Sequence, residues 1–524
     1  MKKFSAPLML SLLAISCSNL SSRGPASGLT PPSFQDGFLK AGEEILDDVK
    51  KKEFDSDVCV TYLKDVEQEL DATDMKKLPK EELKRDGKKI ADISWDIRDA
   101  LHQRLSEFNK DCVIQIQSNF RQLRFVEDYL LEKVTGVTNL GPEEISLMDA
   151  DGKINSDLKK KEIAQLTKEN KIGFQAQAIP MKEAKPYYVF RQKNGSIEPL
   201  ELKGGDLLIT RGLSFLSAMI ARLGQRGTQF SHVVMVNQNE KTKELQTIES
   251  YVGAGVGFYN MDFALKNENA RILWLRPKDK EIGAKANRIM GKYVKDRIDN
   301  GNPIHYDYAL DFNDHSTMSC AEVSQVAYEK ATDGEMSLPF YKNEVTGAQP
   351  LLDHMGIKGG ETYEPGDMEI DPRFELMGEF QDLRLTRDSR QKDAIMTMMF
   401  KWMDEENYVL KDSFNSKLAG GIIFNARHSI FWPLVKAAFG LDDFSKEIPK
   451  AMLRTVTLLK DIGGVMLKEV KEKDLAFEKE HGMPMNYMEL YKVLEDFRKR
   501  DLSLYQNKKT KKEALFHPWF HPKK

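Results

Sequence analysis

A cysteine at the start of a predicted helix is the residue of this sequence best placed to act as a nucleophile. Cys320 precedes an apolar helical stripe, and Ser316 or Ser319 can cap the start of that helix. At a helix N-terminus the macrodipole and the free backbone N–H groups favour a thiolate, and the same N–H groups can hold an oxyanion. A thiolate also needs a partner that protonates the leaving group.

A predicted β-hairpin carries two residues that could be this partner. His232 stands inside an apolar strand, where an imidazole is out of character, and the turn 237–243 leads into a return strand. If the hairpin is symmetric about its turn, Val236 pairs with Leu245, and His232 falls directly opposite Glu249 on the same face. That carboxylate would orient the ring and favour its protonated form. Taken singly, each residue has a structural explanation, and only their joint arrangement favours catalysis.

Short motifs between residues 200 and 375 strengthen the catalytic interpretation. In chain order they are Gly205–Ile209, Phe230–Val236, Ile248–Ser250, Tyr306–Tyr308, Ser319–Glu322 and Pro365–Asp367. Together they resemble the circularly permuted, papain-like cysteine hydrolases of the NlpC superfamily, in its YiiX-like branch. Two residues depart from that family's pattern, because Ser319 stands where a Tyr is common and Ala321 replaces the usual Ser.

The resemblance implies an α+β fold: a permuted papain-like domain with a small antiparallel sheet and helices, flanked by N- and C-terminal helical regions. It implies that Cys320 is the nucleophile, that His232 is the general base and then the acid, and that Glu249 orients the ring. Asp206 would hold the opening turn of the domain, and Tyr306 would line the site, so both are predicted substrate-binding residues. The implied chemistry needs no metal and no organic cofactor.

The first residues of the chain indicate export. A basic start and an apolar stretch too short to span a bilayer predict a signal peptide over residues 1–16. Leu13–Cys17 resembles a bacterial lipobox, which implies that Cys17 is lipidated; ordinary signal cleavage in the same stretch is the alternative. Ser18 and a Ser/Gly/Pro-rich tether over residues 17–32 favour an anchor in the outer membrane, on the periplasmic side of the bacterial cell envelope.

Compartment and superfamily together predict the amide bonds of peptidoglycan stem peptides as substrates, cleaved through an acyl-enzyme thioester. A lipid-directed hydrolase or acyltransferase of the same fold is the alternative. This alternative is favoured if the apolar segment Leu418–Gly440 lines the cleft. A third hypothesis, from a different class, is a non-catalytic envelope scaffold. In either case the helical regions could bind a protein partner whose identity the sequence leaves open.

Composition excludes several other classes of protein. The 524 residues allow two to four domains at roughly 100–200 residues per domain. Lys and Arg number 78 against 81 Asp and Glu, a net charge of -3, which argues against a nucleic-acid-binding protein that works by bulk charge. The chain has only four cysteines, so it is not a disulfide scaffold.

Hydrophobic periodicity divides the mature chain into four parts. Residues 33–185 are predicted to be a helical bundle or long hairpin, residues 186–375 the hydrolase domain, residues 376–505 a C-terminal helical region, and residues 506–524 a basic, solvated tail.

The first helical region carries two further predictions. Residues 88–134 lack Gly and Pro and predict one very long helix or two nearly continuous ones. Cys59 and Cys112 also fall in this region, where a disulfide would tie a short helix to the long one. Two buried free cysteines are the alternative.

Overall fold

The structure is a computed structural model, and its description covers most of the chain. The described residues are 29–34, 37–73, 80–134, 188–192, 202–224, 227–239, 241–261, 269–345, 348–357, 360–418, 420–421, 424–426, 429 and 448–523. The predicted signal peptide, the lipidation site Cys17 and most of the tether lie outside these residues. So do the end of the first helical region and most of the segment Leu418–Gly440.

Eleven strands occur in the described residues, and all of their pairings are antiparallel. They are β1 Tyr188–Gln192, β2 Leu207–Gly212, β3 His232–Gln238, β4 Leu245–Tyr251, β5 Gly255–Asn260, β6 Asn269–Pro277, β7 Asn343–Glu344, β8 Glu361–Thr362, β9 Phe374–Asp382, β10 Tyr408–Leu410 and β11 Phe520–Pro522. Seven of them form the central sheet in the order β1-β9-β6-β2-β3-β4-β5. The predicted α+β fold with an antiparallel sheet is confirmed.

Strand β2 shows why this sheet is buried on both faces. Successive side chains of a strand point to opposite faces, so Leu207 and Ile209 enter one hydrophobic cluster and Leu208 enters another. All three side chains are almost fully buried. Helices therefore have to cover both sides of the sheet, which the flanking helical regions do.

Four helices of the N-terminal helical arm lie in the described residues: α1 Phe38–Lys50, α2 Ser56–Ala72, α3 Lys80–Gln103 and α4 Lys110–Val134. Of the two alternatives for residues 88–134, the structure has two helices, which pack against each other and are separated by the 3₁₀ turn Leu105–Glu107. Arg104 fixes the break by donating to the backbone carbonyls of Val49 and Phe54, at 2.6 and 2.9 Å. The side chain of Asn109 then accepts from the backbone N–H of Cys112 at the start of α4.

The disulfide predicted in this arm is confirmed. Cys59 on α2 and Cys112 on α4 are bonded, with 5.6 Å between their Cα atoms and a sequence separation of 53 residues. A cross-link that closes a loop of this size stabilises a fold by roughly 2–4 kcal/mol. It fixes α2 against α4, which contacts the 3₁₀ helix Pro365–Ile370.

A buried ionic network joins the helical arm to the sheet. Glu379 on β9 accepts hydrogen bonds from Arg98 on α3, Arg124 on α4 and Arg271 on β6. These four side chains are almost completely excluded from solvent. The three guanidinium groups overcome the effect of burial and hold the pKa of Glu379 well below its usual range.

The remaining helices surround the sheet and continue to the C-terminus. They are α5 Phe215–Ile220, α6 Lys280–Asp299, α7 Cys320–Ala331, α8 Gln349–Met355, α9 Leu383–Glu406, α10 Phe414–Leu418, α11 Phe424–Ala426, α12 Lys450–His481 and α13 Tyr487–Gln506. Helices α9, α12 and α13 share a hydrophobic core with α5 and α8. No helix in the described part of the chain is long and apolar enough to cross a bilayer.

The boundary predicted at residue 375 is wrong, because it falls inside strand β9. This strand pairs with β6 on one side and β1 on the other, so the sheet includes residues on both sides of the boundary. Helix α9 begins directly after β9, with Asp382 as its N-cap. The C-terminal helical region is therefore continuous with the sheet.

The prediction that residues 506–524 are a solvated tail is also wrong. Phe516, His517 and Phe520 are fully buried, and β11 pairs with β10. The His517 ring is fixed by Asp501, 2.7 Å from its Nδ1 atom. The lysine-rich stretch 508–512 before these residues is mostly exposed. Phe516 and Phe520 are buried because their burial offsets the loss of conformational freedom.

Candidate active site

The β3–β4 hairpin differs in register from the prediction, yet it keeps the predicted faces. Val236 pairs with Thr247 instead of Leu245, a shift of two residues, because the strands continue for two more residues before the turn. Asn239 closes the shorter turn by accepting from the backbone N–H of Lys241. An even shift leaves every side chain on its face.

His232 and Glu249 are in contact despite the shifted register. The His232 Nε2 atom lies 2.8 Å from Glu249 Oε2. The carboxylate is fully buried and accepts two more hydrogen bonds, from Tyr251 Oη at 2.6 Å and from Thr247 Oγ1. With both oxygens held, the carboxylate fixes the plane of the imidazole.

The predicted nucleophile lies at the predicted helix start. Cys320 is the first residue of α7, and Ser319 is the N-cap. The backbone N–H of Ser319 donates to Glu322 Oε2 at 2.7 Å, and burial raises the pKa of Glu322 to about 8. Cys320 is 7% exposed and is the only free cysteine among the described residues.

The helix that carries Cys320 is positioned by the strands that carry the other two residues. Helix α7 packs across β3 and β4. Ser250, next to Glu249 on β4, donates through Oγ to the carbonyl of Met318 at 2.6 Å. The backbone N–H of Met318 donates to the carbonyl of His305 at 3.0 Å. The start of α7 is therefore fixed directly to strand β4.

These contacts place the imidazole of His232 between an acid and a thiol. Cys320 and Glu249 both act on this ring, and its Nε2 atom faces Glu249. Burial alone would lower the pKa of His232, but Cys320 and Glu249 outweigh it and raise the pKa to about 10. The protonated form of the ring is therefore favoured at neutral pH.

The raised pKa of His232 predicts how the protein responds to alkaline pH. The folded-state pKa of about 10 exceeds the unfolded value of 6.5, so the stabilisation is complete below pH 6.5 and is lost as the pH rises through about 10. We expect an NMR titration of the ring to show the high pKa. Because Cys320 makes the largest contribution that raises this pKa, we expect Cys320→Ala to lower the pKa of His232. An unchanged ring titration in Cys320→Ala would contradict the contact.

Comparisons of the chain with protein-family models, with curated proteins and with solved structures found no match. The role of each residue therefore follows from its own contacts. Those contacts bring together three of the predicted residues, Cys320, His232 and Glu249, and place Tyr306 beside them.

A cleft of about 740 Å³, including its open mouth, begins at Cys320. Its walls are mainly apolar, and three helices outside the sheet line it together with segments 306–312 and 362–365. Helix α5 contributes Leu216 and Ile220, and helix α12 contributes Met452 and Val456. Helix α8 adds one methionine, so the C-terminal helical region builds part of the candidate active site.

Tyr306 lines this cleft, as predicted. Burial, with Cys320 as the next contribution, raises the pKa of Tyr306 well above its usual value. Its ring contacts that of Tyr308, with 5.1 Å between the ring centres. Tyr306 therefore offers a neutral phenol next to the sulfur.

Asp206 is not among the described residues that line the cleft, and its predicted role in substrate binding is corrected. Its carboxylate accepts from the backbone N–H of Lys203, from Trp274 Nε1 and from the Arg276 guanidinium, all within 2.9 Å. These donors occupy both oxygens. Asp206 holds the turn that opens the domain, where the φ of +98° at Gly205 demands a glycine.

Tyr251 is a site residue that the sequence reasoning missed. Its ring stacks on the His232 ring, with 4.9 Å between centres and 26° between planes, while its hydroxyl donates to Glu249. In the true register Tyr251 stands at the position across from His232, whereas the predicted register put Glu249 there. A prediction with the correct turn position would have identified Tyr251.

Removing the Tyr251 hydroxyl should slow the reaction of Cys320 without unfolding the site. In Tyr251→Phe the stacked ring stays, but Glu249 loses a charge-assisted hydrogen bond, so we expect alkylation of the thiol by iodoacetamide to slow by about tenfold at neutral pH. The pH profile of alkylation should also shift, because His232 loses part of its support. Tyr293→Phe on α6 is the control. Equal rates in the two variants would reject a positioning role for Tyr251.

Proposed function

We propose that this chain is a cysteine-dependent acyl hydrolase with a permuted papain-like domain. The observation that carries the proposal is the His232 imidazole, which lies 2.8 Å from Glu249 and interacts electrostatically with Cys320, the residue of the three that lines the cleft. The chain order histidine, acid, cysteine supports the permuted arrangement. No other cysteine in the described residues has a free thiol.

The mechanism follows from the protonation state of this triad. The Cys320 thiolate attacks the substrate carbonyl, and free backbone N–H groups at the start of α7 face the oxyanion that forms. The His232 imidazolium gives its proton to the leaving group, and the C–S bond of a thioester remains. Neutral His232 then takes a proton from water, which attacks the thioester, and the carboxylic acid leaves as the thiolate forms again.

The walls of the cleft favour an acyl chain over a stem peptide. Peptidoglycan stem peptides are polar and charged, and burying them against apolar walls leaves their polar groups without partners. An alkyl chain instead gains about 25 cal/mol for each Å² that it buries. We therefore place the lipid-directed hydrolase or acyltransferase first. The amide bond of a stem peptide stays a prediction from the compartment and the resemblance.

The apolar walls are not those named by the sequence reasoning. The segment Leu418–Gly440 lies mostly outside the described residues, and none of its described residues lines the cleft. The lining instead comes from α5, α8 and α12. The described residues of this segment therefore do not meet the condition set for a lipid substrate, and the proposal depends instead on the apolar residues of other elements.

Parallel incubation of the full-length protein with phospholipid vesicles and with muropeptides tests the proposal. We expect fatty acid release from the vesicles, absent in Cys320→Ala, and mass spectrometry should detect an acyl group on Cys320. Release of peptide alone would identify stem peptides, and not lipids, as the substrate. If neither substrate is cleaved and a thiol probe labels Cys320 slowly, in the wild type and in His232→Ala alike, the protein is a scaffold.

Localisation to the cell envelope is a further proposal, and fractionation of the full-length protein tests it. A lipid on Cys17 would hold the cleft near a membrane, where acyl substrates reside. We expect the wild type to fractionate with membranes and Cys17→Ala to become soluble after signal removal. A Cys17→Ala variant that stays on membranes would reject the lipid anchor.

A further inference from the structure

A buried glutamate on the wall of the cleft has an oxygen without a partner. Glu364 lines the cleft and is 2% exposed. Its Oε2 atom lies 3.4 Å from Asn343 Nδ2, whereas Oε1 has no hydrogen-bond partner in the described part of the structure. A buried polar atom without a partner is unfavourable, so such an atom beside an apolar cleft needs explanation.

Burial and the neighbouring Asp367 favour the neutral form of Glu364. Glu364 N-caps the 3₁₀ helix Pro365–Ile370, and its backbone N–H donates to Asp367 Oδ2 at 2.8 Å. Burial, followed by the nearby Asp367 carboxyl, raises the pKa of Glu364 well above its usual value. Burial also raises the pKa of Asp367, to about 7, although amide groups of Gln117 and Asn343, 3.4 and 3.2 Å from its Oδ1 atom, favour the ionised form.

We propose that Glu364 selects acyl substrates whose chain carries a hydroxyl group, which would hydrogen-bond Oε1 inside the otherwise apolar cleft. The inference rests on the proposed acyl hydrolase and narrows its substrate class. A hydroxyl is both donor and acceptor, so it pairs with the carboxyl in either protonation state. The hydrophobic remainder of the chain would contact Leu216, Met452 and their neighbours.

Two other ligand groups fit this site less well. A plain methylene chain would cover Oε1 without pairing it, which retains the cost of the buried atom. An ammonium group would lose its hydration in an apolar cleft and find a neutral carboxyl as its partner. A site built to bond a hydroxyl discriminates strongly against the analogue that lacks it.

Binding to the full-length Cys320→Ala variant tests the inference without turnover. The probes are dodecanoate, a series of hydroxydodecanoates that differ in the position of the hydroxyl, and an aminododecanoate, all measured by calorimetry. We expect one hydroxylated isomer to bind at least about tenfold tighter than dodecanoate, which corresponds to about 1.4 kcal/mol. Adding Glu364→Leu should bring that ratio close to one, while Glu364→Gln should preserve it.

Each outcome separates this inference from the proposed function. Equal affinities for all dodecanoate probes, with activity on phospholipids intact, would overturn the role of Glu364 but not the proposed acyl hydrolase. Tightest binding of the amino compound would replace hydroxyl recognition by cation recognition. If no chain binds and no lipid is cleaved, the proposed substrate class itself fails. Thermal unfolding of the Glu364 variants shows whether loss of the affinity ratio results from loss of the folded structure.

Discussion

Cys320→Ala should lower the turnover number for acyl substrates by on the order of 10⁴-fold or more, because it removes the only described free thiol at the cleft. His232→Ala should cost nearly as much, since neither the thiolate nor the acid that protonates the leaving group survives without the ring. The double variant should be no slower than the slower single variant, because groups that act as one unit do not have additive effects. Steady-state rates of fatty acid release measure all three.

Ser316→Ala is the matched control for these variants. Ser316 was the second candidate for the cap of α7, but it is exposed, and its backbone N–H donates to Asp314 instead. Its removal should leave the rate unchanged. If Cys320→Ala keeps wild-type activity while its unfolding temperature is unchanged, the nucleophile has been assigned to the wrong residue.

The residues of the triad could be predicted because each depends on local sequence. A helix start is recognisable from its cap, so Cys320 could be placed at the first turn of α7. The alternation of a strand placed His232 and Glu249 on one face. The register was wrong by two residues, and the prediction survived because the side-chain period of a strand is also two.

The surroundings of the triad could not be predicted, because they come from distant parts of the chain. Periodicity marks which face of α12 is apolar, but it does not say that Met452 and Val456 would meet Cys320. Strand β9 was missed for a related reason, since Glu379 and Gln381 are polar residues buried by partners on other elements. Polar side chains in a strand indicate an exposed face unless their partners are known.

The arginine partners of Glu379 lead to the largest stability effect that we expect. In Glu379→Gln, Arg98, Arg124 and Arg271 stay buried but lose the carboxylate that they share. Removing one member of a buried ionic group costs about 3–5 kcal/mol, because uncompensated charge remains in a medium of low polarity. Urea unfolding of the full-length protein, followed by circular dichroism, measures the loss.

A surface ion pair provides the contrast for this prediction. Glu361 lies 2.7 Å from Lys342, and both side chains are mostly exposed, so Glu361→Gln should cost less than about 1 kcal/mol. The pH dependence gives a second test. A carboxyl whose folded-state pKa is lowered stabilises the fold above its unfolded value of 4.5, and this contribution declines as the pH falls below that value. The difference between wild type and Glu379→Gln should therefore shrink in acid, and a difference that stays constant would mean that Glu379 is not ionised in the folded protein.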